Sequence, residues 1–212
     1  MGSDVISRRR LLYCGFAGGL ACLSVRPSVA AALGPVPGHL HLACAETGES
    51  FNDAYRAEGV YLQDAVRRLN WLLRDFHCDR AVAMDPALLD LLAALQHRLQ
   101  PRGPIIVTSA YRTLATNAEL REEGLPAAEH SMHVVGRAAD IRVDGCRLGE
   151  LHHAAMALRR GGVGFYPAAG FVHIDTGPLR FWQETGHHRH RRTALSLARH
   201  RRPHPTAHRR TL

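Results

Sequence analysis

A chain of 212 residues, 46% of them apolar, is long enough for one compact domain with a buried core. Its formal charge of +8 suggests a nucleic-acid or membrane partner until the charge is located. Eight arginines and no acid lie in 187–212, and four arginines against Asp4 lie in 1–30. The stretch between them is net acidic, so the body of the protein has no basic signature and nucleic-acid binding is not expected of it.

The first 31 residues have the layout of a twin-arginine export signal. Ser7-Arg8-Arg9-Arg10-Leu11-Leu12 precedes an apolar run to Val25, and Ser28-Val29-Ala30-Ala31 offers a cleavage site near Ala30-Ala31. The run is interrupted by Gly15, Gly18 and Gly19, and falls short of the ~20 apolar residues of a membrane span. The expected partner is the Tat export machinery and the expected location is the periplasm. Cleavage leaves Cys44, Cys78 and Cys146, which allow at most one disulfide and lack the spacing of a zinc ribbon.

Residues 32–38 read as a linker, and 39–186 as the folded domain. His39 to Ala45 and Ser50 to Tyr55 are short strands joined at Thr47-Gly48. Leu62, Val66, Leu69, Leu73 and Phe76 recur at helical spacing, which predicts a helix over 62–76. Asp85-Pro86 caps and opens a second helix running to Leu99. Pro104 to Ser109 has the β-branched character of a buried strand, and Thr113 to Glu122 is helical. Ala138 to Val143 is a strand, Leu148 to Arg160 a helix, and Gly162 to Tyr166 with Phe171 to Asp175 a closing hairpin. The expected fold class is α+β, with a small, mainly antiparallel sheet packed against helices. Residues 187–212 form a His/Arg-rich tail too poor in apolar residues to order itself.

The chemistry concentrates in Ser131 to Asp140 (S-M-H-V-V-G-R-A-A-D) and in His173-Ile174-Asp175. His133, Asp140 and His173 supply two imidazoles and a carboxylate, the ligand types of a catalytic zinc ion that keeps a fourth position open. Gly136 lets the chain turn between the first two, and antiparallel pairing can bring His173 beside Asp140. Arg112 follows a strand, where its guanidinium can hold a peptide carboxylate or an oxyanion, or serve as a structural ion pair.

The pattern resembles that of the zinc D-Ala-D-Ala carboxypeptidase and hedgehog-type peptidase superfamily, and within it the YcbK-like (MepK) murein endopeptidases. The likeness extends through T-G-E-S at Thr47, S-A-Y-R-T at Ser109 and T-N-A-E-L-R at Thr116. It continues in G-G-V-G-F-Y-P at Gly161 and F-V-H-I-D-T-G-P-L-R-F-W at Phe171, covering roughly 38–182. The resemblance implies one Zn2+ held by His133, Asp140 and His173, with Ser131 and Arg112 at the rim of the active site. One departure is evident. Many members carry an acid three residues before the last histidine ligand, or a histidine two before it; here those positions are Gly170 and Phe171. Asp175 then stands as the nearest candidate base in sequence, or as a group that orients His173. His130 is another candidate base or substrate contact, and Tyr166 a donor to the oxyanion.

The leading reading is therefore a periplasmic zinc metallopeptidase that hydrolyses peptide cross-links in peptidoglycan during cell-wall remodelling. A D,D- or L,D-carboxypeptidase trimming stem peptides and a non-catalytic zinc-containing peptidoglycan-binding domain are the alternatives. The tail offers a contact for an anionic envelope polymer, since arginine clusters bind phosphate-like groups.

Overall fold

The computed structural model describes residues 38–125 and 127–184. The expected export signal, the expected linker up to residue 37 and the expected tail lie outside the described residues. Within them, no helix is long and apolar enough to cross a membrane.

Seven strands form one sheet in the order β2-β1-β5-β6-β8-β7-β9. They are β1 (His39–Cys44), β2 (Ser50–Ala54), β5 (Ile105–Ser109), β6 (Ala138–Val143), β7 (Gly162–Tyr166), β8 (Phe171–Asp175) and β9 (Arg180–Gln183). The neighbours pair antiparallel except β1 with β5 and β7 with β9, which run parallel. A separate small hairpin joins β3 (Arg56–Ala57) to β4 (Val60–Tyr61). The mainly antiparallel α+β architecture expected from the sequence is present.

Alternation along the central strands sorts their side chains onto two faces. Ala139, Ile141, Val172 and Ile174 are fully buried on one of them. Helix α4 (Leu148–Leu158) packs on β6, β7 and β8, while α2 (Pro86–Leu99) packs on β1 and α4. Asp140 and His173 stand on the opposite face, so the sheet itself separates core from chemistry. Asp85 caps α2 by accepting from the Ala87 amide at 2.9 Å, with Pro86 at the first helical position. Thr113 caps α3 (Leu114–Glu122) in the same way through the Thr116 amide.

Helix α1 (Gln63–Leu72) is shorter than its periodicity predicts, and its buried face is shifted to Ala65, Leu69 and Leu72. Leu62 is exposed, and Phe76 lies beyond the helix. The reason is local polar competition. Arg74 pairs with Glu49 at 2.5 Å and Asp79 at 2.8 Å, and the Asp75 carboxylate accepts from the amides of His77 and Thr113. These bonds fold 73–80 into a turn that the apolar spacing alone would have continued as helix. Helix α4 stops at Leu158, where Arg159 adopts a left-handed conformation (φ 51°). Strands β3, β4 and β9 were not anticipated. Cys44, Cys78 and Cys146 are all free thiols.

Gly161 makes the tightest backbone approach in the fold. Its φ is +149°, and a Cβ there would lie 1.8 Å from the Asp175 carbonyl oxygen. Gly161→Ala is expected to cost about 3 kcal/mol or more, because backbone must move to admit the methyl. Thermal unfolding should register this as a Tm fall of roughly 6–12 °C.

Candidate metal centre

The site is assembled by strand register and one loop. Asp140 of β6 and His173 of β8 are directly paired partners in the antiparallel ladder. His133 comes from the 130–137 loop, which turns through Gly136 at φ +67° before entering β6. A Cβ on Gly136 would stand 3.0 Å from Val82 Cγ1 and 3.2 Å from the Ala83 carbonyl, so the turn also needs the missing side chain for space. The three residues are buried. His133 Nε2, Asp140 Oδ1 and His173 Nδ1 form a triangle with sides of 3.1, 2.9 and 3.2 Å.

The outer bonds of each group determine where its proton sits. His133 Nδ1 donates to the Ala110 carbonyl at 2.5 Å, which leaves Nε2 as a bare lone pair. His173 lies between two carboxylates, with Nε2 3.1 Å from Asp175 Oδ2 and Nδ1 2.9 Å from Asp140 Oδ1, and a proton held on Nε2 by Asp175 leaves Nδ1 bare. Asp140 Oδ2 accepts from Arg112 Nη2 at 2.6 Å, so Oδ1 faces the imidazoles. With both imidazoles neutral, three acceptor atoms converge, an arrangement that can hold a metal ion. The edges of the triangle are close to the about 3.3 Å separating tetrahedral ligands of zinc. The donor set of two nitrogens and a carboxylate oxygen fits Zn2+.

Burial works to lower the His173 pKa, but the Asp140 and Asp175 carboxylates outweigh it and raise it, so a proton on His173 Nδ1 is what a metal ion would displace. Burial pushes the His133 pKa down and keeps its imidazole neutral, the form that binds metal. Burial works to raise the Asp140 carboxyl, but hydrogen bonds and positive charge from the imidazoles, when these carry the proton, outweigh it and hold it well below the usual carboxylate range.

The structure places the remaining candidates unequally. Arg112 lies beside the centre: Nε donates to Ser109 Oγ at 2.8 Å and Nη2 to Asp140. Its Nη1 edge is the part left for another ligand. The geometry shows Arg112 as an ion pair with Asp140, at the wall of the cavity. Tyr166 lines the same cavity, stacked on Phe171 with centroids 4.6 Å apart. Burial raises its pKa, so it is a neutral donor near pH 7.

Asp175 is fully buried and lies behind His173, where Gly162, Gly177 and Arg180 also bond its carboxylate. That placement directs it at an imidazole nitrogen and away from the open side of the centre. The Ser131 hydroxyl accepts from the His133 amide at 3.3 Å, a bond within its own loop. His130 is exposed and does not line the cavity.

That cavity is about 350 Å³ and opens beside Asp140 and Arg112. Its walls are largely apolar, with Phe76, Leu120, Leu125 and Phe171, and carry the ionisable Glu46, His77 and Glu184. Sequence reading missed these wall residues, because they come from five separated segments and share no motif. It also left Arg180 and Trp182 unassigned, although both stand in the stretch that resembles the family.

The chain is similar to known proteins over most of its length. The family model Peptidase_M15_2, described as peptidoglycan L,D-endopeptidase MepK, matches residues 33–182. The peptidoglycan L,D-endopeptidase MepK of Escherichia coli (strain K12) is 38% identical over 176 residues, covering 83% of this chain and 97% of the relative. The protein of the same name from Shigella flexneri matches to the same extent. A Haemophilus influenzae relative whose name also includes MepK is 34% identical over 170 residues, covering 78% and 91% of the two chains. The chain belongs to the MepK family of M15 peptidases.

Proposed function

We propose that this protein is a zinc-dependent peptidoglycan endopeptidase that hydrolyses peptide cross-links, with the L,D-type cross-link named for its relatives as the preferred bond. The observation that carries the reading is the convergence of His133, Asp140 and His173 ligand atoms beside a cavity furnished with an arginine. Zinc held by His133, Asp140 and His173 supplies Lewis-acid polarisation of a carbonyl and activation of water near neutral pH.

The chain's own residues do the rest. Asp175 holds the proton on His173 Nε2 and so keeps Nδ1 as a donor atom. Arg112 orients Asp140 with one edge and presents Nη1 to a stem-peptide carboxylate or to the oxygen that gains charge during attack. The Tyr166 hydroxyl donates to the same region. Phe76, Leu120, Leu125 and Phe171 exclude water around these groups, which strengthens each polar contact made inside the cavity. Ser131 serves by shaping the His133 loop.

The N-terminal twin-arginine pattern supports export to the periplasm through the Tat route, where such a substrate resides. The arginine-rich tail supports, more loosely, contact with an anionic envelope polymer.

The test is mass spectrometry of muropeptides after incubating zinc-loaded protein with purified peptidoglycan, with a chelated sample alongside. Cross-linked dimers should fall to monomers in the loaded sample only. Loss of a single terminal residue would instead identify a carboxypeptidase. An unchanged profile despite one tightly bound zinc would identify a binding domain.

A further inference from the structure

Strand β9 lies at the edge of the sheet and pairs parallel with β7, with Gly162 opposite Arg180 and Gly164 opposite Trp182. Both glycines sit on the face that carries His173, and that bare strip is what β9 uses. A Cβ on Gly164 would stand 2.5 Å from Trp182 Cε2, and one on Gly162 would stand 2.4 Å from Asp175 Oδ2 and 3.0 Å from Arg180 Cζ. The side chains of β9 therefore reach across β7 rather than past its edge.

Each arrives at a group that touches the metal centre. Arg180 donates to Asp175 Oδ2 at 2.7 Å through Nη2, the oxygen that also accepts from His173 Nε2. The Trp182 ring lies against His173, with centroids 5.2 Å apart, and its Nε1 donates to the Tyr166 hydroxyl at 2.9 Å. Arg180 stacks on Trp182 at 5.0 Å, which ties the two side chains together.

We propose that β9 is a positioning strand for the active site, acting through Arg180 on the Asp175–His173 pair and through Trp182 on Tyr166. The proposal rests on the peptidase reading above. The physical roles are distinct. Asp175 is a fully buried carboxylate whose Oδ2 meets both His173 Nε2 and Arg180 Nη2, so its orientation and its grip on His173 depend on that guanidinium. Trp182 donates into a lone pair of the Tyr166 oxygen, which turns the phenolic hydrogen away from the tryptophan and leaves it to donate elsewhere. The indole also walls His173 on the side of β9. Arg180 and Trp182 are positioning residues, since neither touches a ligand atom.

Three variants of the full chain separate these roles: Arg180→Gln, Arg180→Lys and Trp182→Phe. Zinc affinity is read by competition with a chelator strong enough to strip the tail histidines. Arg180→Gln should weaken zinc binding 10- to 100-fold, and Arg180→Lys should recover most of it by restoring a cation. Trp182→Phe keeps the ring and loses the N–H, so it should lower kcat for muropeptide dimers about 5- to 20-fold while KM and zinc affinity stay within twofold.

A spectroscopic signature comes from Co2+. The chain has two tryptophans, Trp71 and Trp182, and quenching of emission on Co2+ loading should be large in wild type and largely lost in Trp182→Phe. Zinc affinity of Arg180→Gln within twofold of wild type would overturn the Arg180 role. An unchanged kcat in Trp182→Phe, or quenching that survives it, would overturn the Trp182 role. Because zinc affinity and Co2+ quenching do not depend on cleavage, they remain informative even if the wild type leaves muropeptides intact, the outcome that sinks the peptidase reading.

Discussion

His133→Ala is expected to lower cleavage of cross-linked muropeptides by on the order of 10³-fold or more, since a Lewis acid contributes several kcal/mol to a transition state of this kind. The same change should remove tight zinc binding. His133 is the one ligand supplied by a loop; Asp140 and His173 are paired across β6 and β8 and stay in register without it. The sheet should therefore survive, and the loss should be chemical rather than structural. Truncation leaves the Ala110 carbonyl without its imidazole donor, an effect of about 1–3 kcal/mol on stability. Steady-state muropeptide kinetics, chelator competition and a thermal melt on one preparation check all three statements. Retained turnover with zinc absent would refute the assignment of the centre.

Arg112→Met is the second large effect. It keeps much of the side-chain volume and removes the charge, so packing beside the 133 loop is largely preserved. Asp140 Oδ2 loses its 2.6 Å partner and becomes a buried carboxylate oxygen without its guanidinium. The cavity also loses the cation that would meet a substrate carboxylate or developing oxyanion. A fall in kcat/KM of about 10²- to 10³-fold is expected, carried mainly by kcat. Zinc affinity should weaken far less than in His133→Ala, since all three donor atoms remain. Arg112→Lys should recover only part of the activity, because an ammonium cannot bridge Ser109, Asp140 and a substrate at once. If kcat holds and only zinc affinity moves, Arg112 is a ligand-orienting ion pair and nothing more.

Much of this molecule was legible in its sequence because the relevant signals are local. The Asp85-Pro86 cap, the β-branched run at Ile105 to Ser109 and the apolar alternation of β6 and β8 each specify their own element. The helix over 62–76 was overcalled because its leucine spacing is a local signal, while the ion pairs that end it reach Glu49 and Asp79, which lie outside it.

The centre divides along the same line. That His133, Asp140 and His173 form a candidate metal site could be read from residue types and spacing, since zinc chemistry restricts its ligands to a few side chains, and the fold brings the three together. Their proton positions could not be read that way. Those depend on Ala110, Arg112 and Asp175 reaching each group from behind, and the distances arise only when β5, β6 and β8 pair. Asp175 illustrates the difference. Two residues from His173 and on the same face of β8, it is equally consistent in sequence with a base and with an orienting partner. The fold places it behind His173, because Gly162 carries no side chain and lets Arg180 cross β7 to hold that carboxylate on the far side of the imidazole. A strand's sequence specifies which face a side chain leaves from. What meets it there is specified by the strands beside it, and their register is set by burial across the whole sheet.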